Sequence, residues 1–380
     1  MIIRELAAVV VVALLTVVIA AYRLHHDANM WDPDAAIYLR MTLQHRGMSE
    51  PAAKKAAVQL IQRSPVKQDP RLKNLIGPHP PQFYVDQFAL FRGRQLYPTL
   101  GAVIYPRFGS FGLRLISALA YVGVVLIMYA LLRRFVSIPI AAVGALGFGT
   151  APAVLSGIGL VTTDELGLLF WVASLGALFA YLRKPHLAWL IVLAVTAFAL
   201  SLTRPAIYLP LGAAIAAFMT TRRSAERRAA TTALLIMLAV TLAYFSYGYL
   251  VHAVGPVAQL RWEYAWYQTM RAPFTTHGFL AWWVPSVAVA AVLETILDVY
   301  KNGALLIIVL AFFGAAAAWR SLEMSVMLGG AIAAFAAILV NPTDVERTIT
   351  LPITPVAVIL ATIALQRLAD LRMPVKDRQT

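Results

Sequence analysis

Asp32 and Asp34 flank Pro33 immediately after the first long apolar run of the chain. Carboxylates at the start of a helix have two uses. One is to cap it, accepting backbone N–H bonds that the helix leaves unpaired. The other is general-base chemistry, with Tyr38 one turn beyond Asp34 on the same helical face. A second acidic group, Thr162-Thr163-Asp164-Glu165, poses the same choice, because the helix dipole alone favours an acid such as Glu165 in a first turn. Arg92, Arg94, Arg204 and Arg347 are the cationic counterparts. Arg204 stands in the short turn Thr203-Arg204-Pro205, where a guanidinium can grip a phosphate through forked hydrogen bonds or merely snorkel to the headgroups.

Other chemistries lack residues to carry them. The chain has no cysteine, which removes disulfides, thiol catalysis and thiolate metal sites. His25-His26 with Asp27 have no second cluster at ligand spacing, so no metal ligands are assigned. Neither a Walker A loop, a Rossmann glycine pattern nor a Gly-x-Ser-x-Gly elbow occurs, so nucleotide use and serine hydrolysis lack motif support.

What must position these groups is nearly all apolar. The chain is 60% hydrophobic and 13% charged, against about 45–50% and about 25% in soluble domains. Its 380 residues allow roughly ten crossings of about 20 residues each. Apolar windows predict spans near 5–22, 113–132, 138–158, 165–182, 187–203, 206–219, 231–251, 303–319, 324–340 and 351–367. The expected fold is therefore an all-α polytopic integral membrane bundle of about ten transmembrane helices. It forms one domain over 1–380 with no separate soluble part, and the first run is read as an uncleaved anchor.

The formal charge of +14 follows the same plan. With the N-terminus inside, Arg133-Arg134, Arg183-Lys184, Arg222-Arg223, Arg227-Arg228, Arg320 and the basic tail fall in cytoplasmic segments. Both acidic clusters, Arg204 and Arg347 then share the outer face of the plasma or inner membrane, and both termini are cytoplasmic. The basic residues suit membrane lipid, not nucleic acid. Two outer loops are long, 23–112 and 252–302. In the first, 51–62 reads as an amphipathic surface helix that lies on the membrane or covers a cavity. In the second, Trp262, Tyr264, Trp266, Tyr267, Trp282 and Trp283 form either an interfacial aromatic belt or a wall facing sugar or lipid. The segment 284–298 is read as a surface helix.

Several of these stretches have a familiar look. Asp34-Ala-Ala-Ile-Tyr38-Leu-Arg-Met resembles the Asp-Glu-x-x-Tyr segment in the first outer loop of GT-C glycosyltransferases, in particular the protein O-mannosyltransferase and aminoarabinose-transferase group. Gly93-Arg94-Gln95-Leu96-Tyr97-Pro98 resembles their Arg/Lys-Pro-Pro-Leu-Tyr-Pro segment, and Phe111-Gly112-Leu113-Arg114 the entry to the second span. Leu160 to Glu165 is similar to the family's Thr-Asp at the fourth span, Leu202-Thr203-Arg204-Pro205 to a Leu-Thr-Arg-Pro turn, and Arg347 to the Arg ahead of the last span. Order and spacing carry the signal, over 1–220 more than the remainder. Ala35 replaces the acid that often follows the catalytic Asp, and Gln95 replaces a Pro.

The resemblance implies transfer of a sugar from a polyprenyl-phosphate donor to a glycan, lipid or protein acceptor on the outer face, with inversion. It implies Asp34 as general base, with Asp32 and Asp164 as the other catalytic candidates. It further implies Tyr38, Arg94, Tyr97, Glu165, Arg204 and Arg347 as substrate-binding residues. A divalent cation is admitted, and no other cofactor is required. Two alternatives need no base at Asp34: a transporter or flippase of a polyprenyl-linked glycan, and a non-catalytic lipid-binding subunit. Sparse charge at the span centres counts against ion-coupled transport.

Overall fold

The computed structural model describes residues 2–26, 34–63, 90–255, 293, 297, 305–319, 321–337 and 350–372. Among them are thirteen helices: α1 (Ile2–His26), α2 (Ala35–His45), α3 (Glu50–Arg63), α4 (Leu96–Leu132), α5 (Ile138–Gly149), α6 (Pro152–Leu155), α7 (Asp164–Arg183), α8 (Leu187–Thr203), α9 (Tyr208–Thr220), α10 (Ser224–Leu250), α11 (Leu305–Ala318), α12 (Leu322–Ala337) and α13 (Leu351–Arg372). Each apolar window overlaps one of these helices over its described residues, and 138–158 overlaps two. Five of them, α1, α4, α7, α10 and α13, are long and apolar enough to cross a membrane. Five shorter apolar helices, α5, α8, α9, α11 and α12, pack among them. The chain is an integral membrane protein.

Two windows change shape for local reasons. The apolar stretch 138–158 is not one helix: α5 stops at Gly149, and the four-residue α6 follows. Pro152 is the cause, because its ring drives the preceding residue out of the helical region, and Ala151 adopts φ −60°, ψ 132°. The freed segment 156–163 is a run of turns and bends that leads to the start of α7. Conversely, 96–108, read as part of the first outer loop, is helical and meets the span after it at a kink. The join is Gly109, with φ +58° and ψ −145°, a conformation that costs a side chain dearly.

Helix α4 holds α1 at both ends. Arg114 donates to the carbonyls of Leu24 and Gly159, at 2.6 and 2.5 Å. Arg133, one residue past the other end of α4, donates through Nε to Glu5 at 2.9 Å. The same end of the bundle carries the Arg183–Glu323 pair at 2.9 Å and the Ser137 amide bonded to Gln366. The opposite end carries Asp34, Arg94, Asp164 and Arg204. Helices α9 and α12 cross closely: a Cβ on Gly212 would lie 2.8 Å from the Gly329 carbonyl oxygen, so only glycine lets the backbones approach.

Besides the main core, a smaller apolar core sits at the acidic end. It joins Ala35, Tyr38 and Leu39 of α2 to Ala53 and Ala57 of α3, Phe91, Tyr97, Leu113 and Val161. Helix α3 thus buries an alanine stripe against α2, while Lys54 and Lys55 stay exposed. The aromatic loop 262–283, Asp32 and Arg347 lie outside the described residues, as does 284–298 apart from residues 293 and 297.

Candidate active site

Helix α8 ends at Thr203 because Pro205 holds Arg204 extended, at φ −140° and ψ 147°. From there the side chain runs along α7. Gly167 makes this passage possible, since a Cβ there would stand 3.2 Å from the Arg204 Cδ. The guanidinium ends in an ion pair with Asp164 in the first turn of α7. Thr162 donates its hydroxyl to the other Asp164 oxygen at 2.8 Å and accepts from the Asp164 amide. Asp164 is therefore engaged on both carboxylate oxygens, and Arg204 is a paired cation at a cavity wall, not a snorkelling one.

On the facing side stands α2. The Asp34 carbonyl accepts from the amides of Ile37 and Tyr38 at 3.0 and 3.1 Å, which begins the helix. Its carboxylate makes no capping bond, so the capping reading fails for this acid. Instead it acts on Arg94, four residues ahead of Pro98 in the turn before α4. Burial disfavours the Arg94 charge, yet the neighbouring Tyr38 and Asp34 outweigh it and hold the pKa above the ordinary arginine value. Arg94 stacks 4.2 Å over the Phe91 ring and donates from Nη1 to the Tyr38 hydroxyl at 3.3 Å. Its Nε is buried with no acceptor among the described residues. Gln95, where a proline was expected, braces this turn by bonding His45 at 2.7 Å and the Arg92 carbonyl at 2.5 Å.

Arg94, Asp164 and Arg204 line one cavity of about 850 Å³. Its remaining wall is largely apolar and aromatic, with Trp171 from α7, Tyr208 from α9, and Tyr244 and Phe245 from α10. Trp171 is held by its indole N–H, which donates to the Pro352 carbonyl at 3.0 Å. None of these four aromatics was singled out by sequence reasoning. The available signal was the cluster Tyr244-Phe245-x-Tyr247-x-Tyr249 near the end of an apolar window, which reads equally well as an interfacial belt.

Three residues read as substrate contacts face elsewhere. Tyr38 is fully buried. Tyr97 is also fully buried and donates to the Leu113 carbonyl at 2.8 Å inside the small core. Glu165 is 1% exposed and lies against Gly157, where a side chain would collide with its carboxylate. In a helix, successive side chains point about 100° apart, and here Asp164 lines the cavity while Glu165 packs on Gly157. Among the described residues no group of three or more His, Cys, Asp or Glu could hold a metal ion.

Residues 99–247 match the model of the family described as dolichyl-phosphate-mannose-protein mannosyltransferase. Over that stretch, which is less than half of the chain, the sequence is similar to this GT-C glycosyltransferase family. No curated protein matches the chain. The matched stretch runs from the first turn of α4 to the last turn of α10 and holds Asp164, Arg204 and four of the five aromatics of the cavity wall, Tyr249 lying just beyond it. Arg94 precedes the matched stretch and reaches the cavity from the turn before α4, whereas Asp34, which also precedes it, does not line the cavity but lies near enough to Arg94 to stabilise its charge.

Proposed function

We propose that this protein moves a sugar from a polyprenyl-phosphate donor to an acceptor hydroxyl on the outer face of the membrane, with inversion at the anomeric carbon. Ten spans with both termini cytoplasmic would put the acidic end of the bundle on that face, consistent with the arginines gathered at the other end. The observation that carries the reading is the convergence of Arg94 and Arg204, 110 positions apart in sequence, on one mostly apolar cavity.

In this reaction the acceptor oxygen forms a bond to the anomeric carbon as the bond from that carbon to the carrier phosphate breaks. Asp34 takes the proton from the attacking hydroxyl. The electron pair of the broken bond stays on the phosphate, whose charge is met by Arg94 and Arg204 through oriented N–H donors in a water-poor site. Asp164 neutralises Arg204 while the site is empty and gives up part of that contact to the phosphate. The apolar wall takes the isoprenoid units nearest the phosphate. Helix α3, seated on α2, keeps bulk water from the donor, which water would otherwise hydrolyse.

The test is transfer by purified protein from a panel of polyprenyl-phosphate sugars, wild type beside Arg94→Ala and Asp34→Asn. One donor should be consumed by the wild type alone, with polyprenyl phosphate released. Full activity of both variants would remove the assigned roles.

A further inference from the structure

Parts of three distant segments meet at a single phenolic oxygen. The Tyr38 ring is fully buried, edge-on to Phe91 and tilted against Tyr97, with centroids 5.4 Å away in both cases. Phenylalanine would satisfy that packing. The hydroxyl is what needs explaining, because a buried hydroxyl without partners is costly. It lies 3.0 Å from the Thr163 hydroxyl and 3.3 Å from Arg94 Nη1.

Proton direction follows from chemistry. Arginine only donates, so the phenol accepts from Arg94 and keeps its own proton available for the bond with Thr163, in which either hydroxyl can be the donor. Bonds in such a chain polarise one another, and the charge on Arg94 strengthens the phenol as a donor. Thr163 is the residue before Asp164, and Asp164 holds Arg204. One phenol therefore links the turn that carries one cavity arginine to the segment that holds the other.

We propose that Tyr38 is a positioning residue. It does not touch substrate; it keeps the Arg94 guanidinium aimed into the cavity and in register with the Asp164–Arg204 pair, so that both cations meet one phosphate. This inference rests on the reading of Arg94 as a phosphate contact and adds the device that aligns it.

The experiment is a titration of the detergent-purified protein with polyprenyl phosphate and, as a control, polyprenol, which lacks the phosphate. Wild type is compared with Tyr38→Phe, Arg94→Ala and the double variant. Loss of one hydrogen bond to a charged group predicts a Kd for polyprenyl phosphate raised about tenfold in Tyr38→Phe, with polyprenol binding unchanged. In the Arg94→Ala background the Tyr38→Phe change should add nothing. An equal loss in both backgrounds, or a matching loss for polyprenol, means a merely structural tyrosine and overturns the proposal. If Arg94→Ala itself binds polyprenyl phosphate as the wild type does, the phosphate reading falls first. Should Tyr38→Phe fold poorly, Thr163→Val tests the same link from the other side: it should weaken phosphate binding and Thr163→Ser should not.

Discussion

Asp164 and Arg204 form an ion pair that spans the gap between the first turn of α7 and the residue after α8, with Gly167 clearing the path. Both side chains are largely buried, at 9% and 16% exposed. Breaking a buried pair by deleting one partner costs about 3–5 kcal/mol, because the survivor keeps an uncompensated charge. Arg204→Ala is therefore expected to lower thermal stability by that order. Combining Asp164→Asn with Arg204→Gln should recover much of the stability and none of the transfer. Thermal melts and a transfer assay on these two variants separate the structural use of Arg204 from its use in binding.

Asp34 has the opposite profile. Its backbone begins α2, but its carboxylate does not cap the helix. Asp34→Asn should lose about 10²–10⁴ in kcat, as expected for a missing general base, with a melting curve close to wild type. A large drop in stability with modest loss of rate would mark Asp34 as structural after all.

Ala35 bears on the missing second acid. It is fully buried in the small core, among Leu39, Phe91 and Tyr97 in the same cluster. An acid here has no open space to enter. Ala35→Glu should not raise activity; it should destabilise the protein by about 1–3 kcal/mol or more through overpacking and burial of a charge, read from the melting temperature in detergent. Increased transfer at unchanged stability would show that α2 can rotate its first turn outward.

The bundle's close crossings give a fourth expectation. A Cβ on Gly314 of α11 would overlap the Leu360 carbonyl of α13. Because the obstacle is backbone, it cannot turn aside as a side chain can. Gly314→Ala should separate α11 from α13 and lower stability by about 1–3 kcal/mol, whereas Gly176→Ala, with open space around it, should be neutral or slightly stabilising. Parallel melts of the two variants distinguish this contact from a general intolerance of change.

Much of the plan is legible in the residues alone. Hydrophobic runs mark the helices because each must satisfy its backbone polar groups internally wherever lipid surrounds it, whereas the break at Pro152 and the kink at Gly109 are not read from them. The alternation of acidic and basic junctions assigns Asp34, Asp164 and Arg204 to one end. A one-dimensional pattern records the order of helices and their ends, and little more.

The tertiary structure decided which of those end residues meet. Asp164 and Glu165 are neighbours in sequence and equal as first-turn acids, yet one lines the cavity and the other is packed on Gly157. Tyr38 and Thr163, 125 positions apart, share a hydrogen bond that no spacing foretells. The physical reason is rotational phase. A nearly all-apolar helix has no strong stripe to fix which side faces its neighbours, so its orientation is set by where backbones can approach, at Gly212 and Gly329, and by the side chains for which Gly157 and Gly167 leave room. Helix positions are thus written in the hydropathy of this chain, while the aim of its charged side chains is written in the contacts between helices.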